Sequence, residues 1–221
     1  MASRDQVLGG IRRALGRGPL TPSRRHELAL RLERPPSLVP ARATSLDQAG
    51  RVALFIALAE EVDTQVTRLT AASAVPAAVA ALLREYDLAA SVVAAPALAG
   101  LDWSRAPGLA VRFGAAWPDD QVSVTPVFAA IAETGSLVLA SGPDTPPNLN
   151  FLPDLHIAVL DAARVLATPE EVWSQLGQPQ PRVVNTVTGP SRTGDIEQTL
   201  MLGAHGPRRL HVLLVDEQPR P

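Results

Sequence analysis

The pattern of hydrophobic positions divides the chain into an irregular amino-terminal part and a regular remainder. Apolar side chains recur at helical spacing near the start of the chain: Val7, Leu8, Ile11 and Leu15. This spacing predicts a short amphipathic helix over residues 4–16. Residues 19–44 are rich in proline and arginine and predict a connector, with room for a further helical turn or two in "RRHELALRLER". Ser45 is the predicted N-cap of a helix that ends near Glu61.

Beyond this helix the chain alternates between strand-like and helix-like segments. Strands are predicted at residues 63–69, 90–94, 108–113, 121–124, 136–140, 156–160, 182–188 and 210–215. Helices are predicted at residues 76–86, 126–132, 169–177 and 193–201. The strands "HIAVL" and "LHVLLV" are apolar almost throughout, which indicates burial on both faces, as in a parallel sheet covered by helices. The pattern predicts an α/β fold with an open, doubly wound, mostly parallel sheet and an N-terminal helical arm.

Length and charge distribution predict two parts of the chain. Its 221 residues suffice for one core plus an appendage, so we expect a basic helical arm and linker at 1–44 and one α/β domain at 45–221. Residues 1–50 hold nine arginines and four acids, whereas the rest holds eleven arginines and eighteen acids. The arm lacks aromatic side chains for base stacking, so packing on an acidic partner or on the chain's own domain is favoured over binding nucleic acid.

The residue types that are absent exclude several kinds of chemistry. The chain contains no cysteine, which excludes thiolate catalysis, cysteine zinc sites and iron–sulfur clusters held by this chain alone. Its twenty basic residues are all arginine, which excludes Schiff-base chemistry, a P-loop lysine and a lysine general base. We therefore expect no cofactor to be bound by this chain alone.

Hydropathy gives no sign of a membrane segment. Every apolar run is shorter than the roughly 18 residues that span a bilayer. The first residues, "MASRDQVLGGIRRALGRG", lack the apolar stretch of a secretory signal. The sequence therefore predicts a cytoplasmic protein without a membrane span.

The segment "AIAETGSLVLASG" is the first candidate site. Glu133 is suited to act as a general base or to bind a cation, while the hydroxyls of Thr134 and Ser136 and the amide of Gly135 supply hydrogen bonds. The alternative is an ordinary turn in which Gly135 takes a positive φ and Glu133 is solvated. Spacing alone leaves both interpretations open.

Two further loops are candidates for contact with a ligand. "SGPDTPPNLNFLP", at 141–153, is either a rigid wall or lid that offers Asn148 and Asn150 as polar contacts, or a plain surface connector. "TGPSRTGDIE" places small residues and one arginine at a predicted helix N-terminus, where amides and the helix dipole favour an anion. Its candidate ligands are Gly189, Ser191, Arg192 and Thr193. Acidic residues in the first turn, Asp195 and Glu197, could instead satisfy the dipole.

The histidines point to structure more than to catalysis. His156 and His211 each open an apolar strand, where a structural role is expected. His205 lies in the loop "GAHGPRRL" near Arg208 and Arg209, where a contact with an anion is credible. No pair of histidines has the spacing of a metal motif, so we expect no metal held by the protein.

Four segments together carry a family resemblance: "AIAETGSLVL", "LPDLHIAVL", "TGPSRTGDIE" and "HGPRRLHVLLVD". They resemble the lactate-utilisation (LUD) domain family, specifically the lactate utilisation protein C family, over about residues 45–217. The resemblance implies a fold similar to the NagB/RpiA/CoA-transferase-like superfamily, in which a catalytic glutamate or lysine is common. It also implies participation in oxidising L-lactate to pyruvate, with iron–sulfur clusters in partner subunits.

The leading hypothesis is therefore a cluster-free subunit of a lactate-oxidising complex that has a pocket for a small carboxylate or phosphate. This pocket requires that the turns at 133–136 and 189–194 open side by side into one cleft. Two alternatives stay open. One is a stand-alone enzyme that acts on a phosphorylated or CoA-linked metabolite with Glu133 as nucleophile or base, and the other is a non-catalytic assembly scaffold.

Overall fold

A computed structural model describes most of the chain. The described residues are 3–33, 42–177, 179–194, 200–203 and 205–216. The chain divides into two compact units, Met1–Pro40 and Ala41–Pro221, which are treated separately below. Within the described residues, every helix is too short or too polar to cross a bilayer.

Residues 3–33, the described part of the first unit, form two helices. Helix α1 (Arg4–Ala14) confirms the predicted amphipathic helix and begins with a capping box, in which the Ser3 hydroxyl accepts from the Gln6 amide and the Gln6 side chain accepts from the Ser3 amide. Helix α2 (Pro22–Glu33) is a full helix of 12 residues, longer than the turn or two that the connector predicted. Alanine, leucine, glutamate and arginine, all good helix formers, account for its length.

The described residues of the second unit form three α-helices and two principal sheets. The helices are α3 (Gln48–Glu61), α4 (Val75–Glu85) and α5 (Pro169–Gln175). The first seven strands are β1 (Gln65–Leu69), β2 (Ser91–Ala94), β3 (Ala110–Phe113), β4 (Val122–Pro126), β5 (Ala129–Ile131), β6 (Ser136–Ala140) and β7 (Leu155–Asp161). The remaining strands are β8 (Val165–Leu166), β9 (Val184–Val187), β10 (Arg192–Gly194), β11 (Leu200–Leu202) and β12 (Arg209–Val215).

Six strands form a parallel sheet in the order β1-β12-β7-β4-β2-β3. Side chains of β7 alternate between two hydrophobic clusters, with Ile157 packed on the α4 side and Ala158 and Leu160 on the α3 side. Burial on both faces explains why β7 and β12 read as continuous apolar runs. The predicted fold, a mostly parallel α/β sheet flanked by helices, is confirmed.

A second sheet was not predicted. It has the order β8-β5-β6-β9 and packs over the α3 face of the large sheet, where Leu137 and Leu139 join the same cluster as Ala158. Its other face is covered by α5 through Val172. The second sheet thus forms a further layer, in which β6 packs into the same hydrophobic cluster as β7 and β12.

The helix predicted at 126–132 is wrong, because β5 occupies residues 129–131 of this segment. Ala130 pairs with Leu137 of β6 on one side and with Val165 of β8 on the other. A short apolar run does not show enough periodicity to distinguish a strand from a helix. The strands that pair with it therefore determine its secondary structure. Pairing on both sides satisfies the backbone of this buried segment.

The helix predicted at 193–201 is also wrong at both of its described ends. β10 and β11 form an antiparallel pair in which Thr193 lies opposite Met201, and residues 195–199 lie outside the described part of the chain. A helix N-terminus is therefore absent at 192–194, and the dipole that the sequence analysis invoked for an anion is absent with it.

The predicted N-cap of α3 was misplaced by two residues. Asp47 caps the helix, and its carboxylate accepts from the Gly50 amide at 2.8 Å. Ser45 instead ends a 3₁₀ turn at Arg42–Ser45, in which its hydroxyl donates to the Arg42 carbonyl at 3.0 Å. Both residue types cap helices well, so only the path of the preceding turn distinguishes them.

Candidate functional site

The turn that carries Glu133 joins β5 to β6 as the end of a hairpin. Gly135 has φ +64°, and a Cβ at this position would lie 2.6 Å from the Ala59 nitrogen and 2.7 Å from the Leu58 carbonyl carbon. The hairpin therefore sits directly on the backbone of α3. Glu133 is half-buried and donates its amide to the Ala167 carbonyl at 3.2 Å, but its carboxylate has no hydrogen bond or ion pair with the described residues.

Hydroxyl groups connect this hairpin to the second predicted turn. The Ser136 hydroxyl is buried and lies 2.7 Å from Oγ1 of Thr134 and 2.7 Å from Oγ1 of Thr188. Thr188 immediately precedes Gly189, which has φ +76° and approaches the Val62 carbonyl so closely that a Cβ would lie 2.6 Å from its oxygen. The two turns are therefore neighbours on the last turn of α3.

These neighbouring turns nevertheless border two separate cavities. One cavity, of about 260 Å³, lies on the α5 side of the second sheet and is lined by Thr134, Ser136, Thr188, Trp173 and several aliphatic side chains. The other cavity, of about 270 Å³, is more polar and is called the polar cavity below. Glu133 and Gly135 line neither cavity.

The polar cavity brings together most of the ligands predicted in the second turn and the histidine loop. Its lining includes Asn150, His156, Gly189, Ser191, Arg192 and His205. Arg208 does not line it, and the side chain of Thr193 lies outside the described residues. The predicted shared cleft is thus replaced by a cavity that includes residues of the 189–192 turn and none of the 133–136 turn.

The polar cavity lies at the amino ends of the parallel strands. His156 is the second residue of β7 and Leu210 is the second residue of β12, and both line the cavity. In such sheets a ligand usually lies at the opposite, carboxyl edge. Here the end of β9 in the second sheet lines the cavity together with the amino ends of β7 and β12.

The carboxyl edge of the sheet has a cavity of its own, of about 400 Å³. It is lined mainly by aliphatic side chains, and its two charged groups already have partners. Arg164 donates to the Phe128 carbonyl at 2.8 Å and to the Gln175 side chain at 3.0 Å, and Asp161 accepts from the Ala163 amide at 2.9 Å. No residue that the sequence analysis selected lines this cavity.

Two buried polar side chains in the polar cavity have unused hydrogen-bonding capacity. Asn150 is only 7% exposed, yet its amide has no hydrogen bond with the described residues. His156 is 0% exposed, and its Nε2 lies 2.7 Å from Oγ1 of Thr125 while its Nδ1 has no partner among the described residues. Buried polar atoms such as His156 Nδ1 are nearly always satisfied, so a cavity that holds this atom beside an unpartnered Asn150 amide is suited to a polar ligand.

His156 of β7 and His211 of β12 differ in whether both ring nitrogens have hydrogen-bond partners. The ring nitrogens of His211 have partners on both sides, with Nε2 2.8 Å from Oγ1 of Thr67 and Nδ1 3.1 Å from the Tyr86 hydroxyl. Burial lowers the pKa of His211, and the nearby Glu85 partly offsets the effect. Burial alone lowers the pKa of His156 to about 4, so this imidazole is neutral at pH 7. The expected structural role describes His211 well and His156 incompletely.

The two asparagines of the 141–153 loop have different roles. One holds the loop in place, and the other contacts the cavity. Asn148 fastens the loop, because its side chain donates to the Ala116 carbonyl at 2.8 Å and accepts from the Ala116 amide at 3.3 Å. Asn150, two residues later, lines the polar cavity instead. The loop is therefore a fixed wall of the cavity.

The predicted cations are less available than the sequence suggested. Arg192 forms an ion pair with Asp63, which follows α3, and Nε of Arg208 lies 3.5 Å from Oδ1 of Asp154. All four side chains are substantially exposed, so neither pair contributes much to stability. His205 lines the cavity from its exposed side. The described residues contain no group of three or more histidine, aspartate or glutamate side chains placed to hold a metal ion.

Comparison with known proteins gives this geometry its context. Residues 120–215 match the LUD domain family. The resemblance seen in the sequence is thereby confirmed for residues 120–215, and every residue that lines the polar cavity falls inside the LUD match. By contrast, part of the lining of the carboxyl-edge cavity comes from residues between 72 and 101, which lie outside the match.

Several curated relatives are similar to part of the chain. Lactate utilization protein C of Halalkalibacterium halodurans is 30% identical over 107 residues, which are 45% of this chain and 46% of the relative. Lactate utilization protein C of an Exiguobacterium species is 31% identical over 102 residues, 43% of this chain and 44% of the relative. An uncharacterized protein of Neisseria meningitidis is 38% identical over 90 residues, 38% of each. The matched segment thus spans less than half the length of these relatives.

One solved structure has a similar fold. A DUF162 family protein from Deinococcus radiodurans superposes with a TM-score of 0.60 at 24% sequence identity, covering 77% of this chain and 99% of that chain. At this identity the comparison concerns the fold alone.

Proposed function

We propose that this chain is the cluster-free subunit of a system that oxidises L-lactate to pyruvate, and that its polar cavity binds a small carboxylate or phosphate. The observation that carries the proposal is the position of this cavity, wholly inside residues 120–215, which match the LUD domain family. Part of this chain is also similar to relatives named lactate utilization protein C. Since the chain has no cysteine, the iron–sulfur clusters of such a system belong to partner subunits.

The lining of the cavity suits a small anion. The Asn150 amide and the Ser191 hydroxyl have no partners among the described residues and are free to donate. The backbone amide of Ser191 is not free, because it donates to the Pro207 carbonyl at 2.8 Å. Arg192 uses one of its five donors for Asp63 and retains others. The Ser191 site therefore offers its side chain, and not its backbone amide, to the ligand.

The size of the cavity favours a compact ligand. At about 270 Å³ it is smaller than the roughly 300–1,000 Å³ of sites for larger ligands. A three-carbon acid or a phosphate fits this space, whereas a CoA group would have to lie largely outside it. A stand-alone enzyme acting on a CoA-linked substrate through Glu133 thus gains no support from the cavity, and the catalytic role of Glu133 stays a prediction.

Titration calorimetry of the purified chain with L-lactate, pyruvate and inorganic phosphate tests the site. We expect at least one of them to bind, and Asn150→Asp to weaken binding at least tenfold, because a buried carboxylate repels an anion. Asn185→Asp is the matched control, since Asn185 lies on β9 outside the cavity. A reconstituted mixture with cluster-bearing subunits should reduce a dye in the presence of L-lactate only when this chain is added.

Two results would contradict the proposed anion site and the proposed role as a subunit. If none of the three anions binds to the chain, alone or together with the cluster-bearing subunits, the cavity is not an anion site. If the mixture oxidises L-lactate equally well without this chain, the chain is not a required subunit.

The ion pair between Arg192 and Asp63 predicts that removal of the Asp63 carboxylate increases the affinity for an anion. Asp63→Asn removes the competing carboxylate, so the guanidinium becomes available to the ligand, and we expect anion affinity to rise about three- to tenfold, or roughly 1 kcal/mol. Asparagine suits the site because residue 63 has φ +63°, a conformation that asparagine tolerates. Calorimetry measures the change, and Arg192→Ala in the same background should abolish it. An unchanged affinity would show that Arg192 does not contact the ligand.

A further inference from the structure

His156 is a buried titratable group that no structural role fully explains. Its ring belongs to the wall of the polar cavity, one nitrogen is fixed by Thr125, and the other has no partner among the described residues. The neutral ring fits either tautomer, because the Thr125 hydroxyl can donate to Nε2 or accept from it. The imidazolium form fits as well, since its Nε2–H would donate to Thr125 and its Nδ1–H would be free for a ligand.

The elements around His156 bring few charges to it. From the neighbouring strands, Ser123 of β4 and Leu210 of β12 lie in register with it, and neither is charged or titrates at ordinary pH. Arg209 and His211 alternate to the opposite face of β12, where both contact Tyr86.

The charged groups that share the cavity come from two loops. Arg192 follows β9 and is paired with Asp63 at the end of α3, so its charge is largely balanced and exposed to solvent. His205 precedes β12 and is exposed. The segment of the 141–153 loop that reaches the cavity contributes Asn150 and Phe151, which are uncharged. Among the described lining residues, the imidazole of His156 is thus the buried group that can acquire a new positive charge.

We propose that His156 takes up a proton from solvent when an anion enters the polar cavity. The inference rests on the proposed function, because it assumes that the cavity binds an anion. An anion within several ångströms favours the charged form of an imidazole, and burial strengthens this attraction because the surrounding dielectric is low. In the empty cavity the desolvated ring stays neutral, with a pKa of about 4.

The change is a protonation equilibrium and needs no other reactant. A solvent proton binds to the ring nitrogen that is unprotonated in the neutral tautomer. In the resulting imidazolium the Nε2–H bond donates to the Thr125 oxygen, and the Nδ1–H bond is available to the anion. Release of the anion reverses each of these steps. The cavity thereby couples anion binding to the local proton concentration, which the exposed Arg192 cannot do because it is protonated at every accessible pH.

Calorimetry of the full chain with L-lactate, pyruvate or phosphate, repeated at pH 6 in buffers of different ionisation enthalpy, measures the coupling. We expect uptake approaching one proton per carboxylate bound, and affinity that rises up to tenfold for each unit of pH decrease between pH 8 and pH 6. His156→Gln should bind with little proton uptake. His205→Gln should retain the uptake at His156, whatever happens to its affinity.

If His156→Gln fails to fold, nitrogen-15 NMR of the histidine rings in the unaltered chain measures the protonation of His156 directly. The His156 nitrogens should shift from the neutral to the imidazolium pattern when carboxylate is added at pH 6. Binding without proton uptake, or uptake that disappears in His205→Gln and persists in His156→Gln, overturns the assignment while leaving the anion site intact. Absence of any binding overturns the site itself and this inference with it.

Discussion

Gly135→Ala is expected to lower the free energy of unfolding by about 4 kcal/mol. The added Cβ would lie 2.6 Å from the Ala59 nitrogen and 2.7 Å from the Leu58 carbonyl carbon, which are backbone atoms of α3 and cannot rotate aside. The residue also has φ +64°, which alanine disfavours. Urea or guanidinium denaturation monitored by circular dichroism measures the loss.

Gly177→Ala is the matched control for this substitution. Gly177 has φ +70°, almost the value of Gly135, but a Cβ there would meet nothing within 4 Å. It should therefore cost only the backbone term, about 1 kcal/mol. The difference between the two variants measures the close approach of the hairpin to α3. Equal losses would show that this approach is not rigid in solution.

The buried imidazole of His156 predicts a strong pH dependence of stability. Its pKa falls from 6.5 to about 4 on folding, so the unfolded chain binds this proton more readily than the folded chain between those values. The free energy of unfolding therefore decreases as the pH falls from about 6.5 to about 4, and His156 alone accounts for about 3 kcal/mol of the decrease. Above pH 7 the contribution is constant, because the ring is neutral in both states.

Comparison with His156→Gln isolates this contribution. Carboxylates titrate in the same acidic range and His211 adds a shift in the same direction, so each protein should be denatured at several pH values and the two curves subtracted. The difference should change by about 3 kcal/mol between pH 7 and pH 4. Parallel curves would mean that His156 is protonated as easily in the folded chain as in the unfolded one. An anion that fills the cavity should reduce the pH dependence of the unaltered chain.

The large sheet could be predicted because its signal is local. Strands buried on both faces need continuous apolar runs, and β7 and β12 supply them with boundaries within one residue of the structure. The glycine after Thr134 likewise implied a positive φ, which Gly135 adopts. In these places each residue's own preference agrees with the final fold.

The second sheet could not be predicted because its strands are defined by distant partners. β5 is three residues long, and only its pairing with β6 and β8 makes it a strand. β9 pairs with β6 from a position almost fifty residues away, as in Leu137 opposite Val187. Short strands of this kind carry too little periodicity to be separated from helix or loop.

The candidate site could be predicted only in part, because some of its contacts also depend on residues that are distant in the sequence. The sequence selected the 189–192 turn and His205 separately for their small and polar residues, and the structure places both in the lining of the polar cavity. It could not supply Asp63 as the partner of Arg192, because that contact depends on where α3 ends relative to β9. It named Asn150 but gave His156 a purely structural role, because an imidazole in an apolar strand looks the same whether or not its second nitrogen is satisfied.

The seating of both glycine turns on the end of α3 has a consequence for protein engineering. Leu58, Ala59 and Val62 present backbone atoms to Gly135 and Gly189, so the helix terminus works as a common template for the hairpin and for the cavity rim. Neither loop can be grafted into another scaffold, lengthened or redesigned by itself. A transplant of the cavity would have to carry this helical segment as an inseparable part of the module.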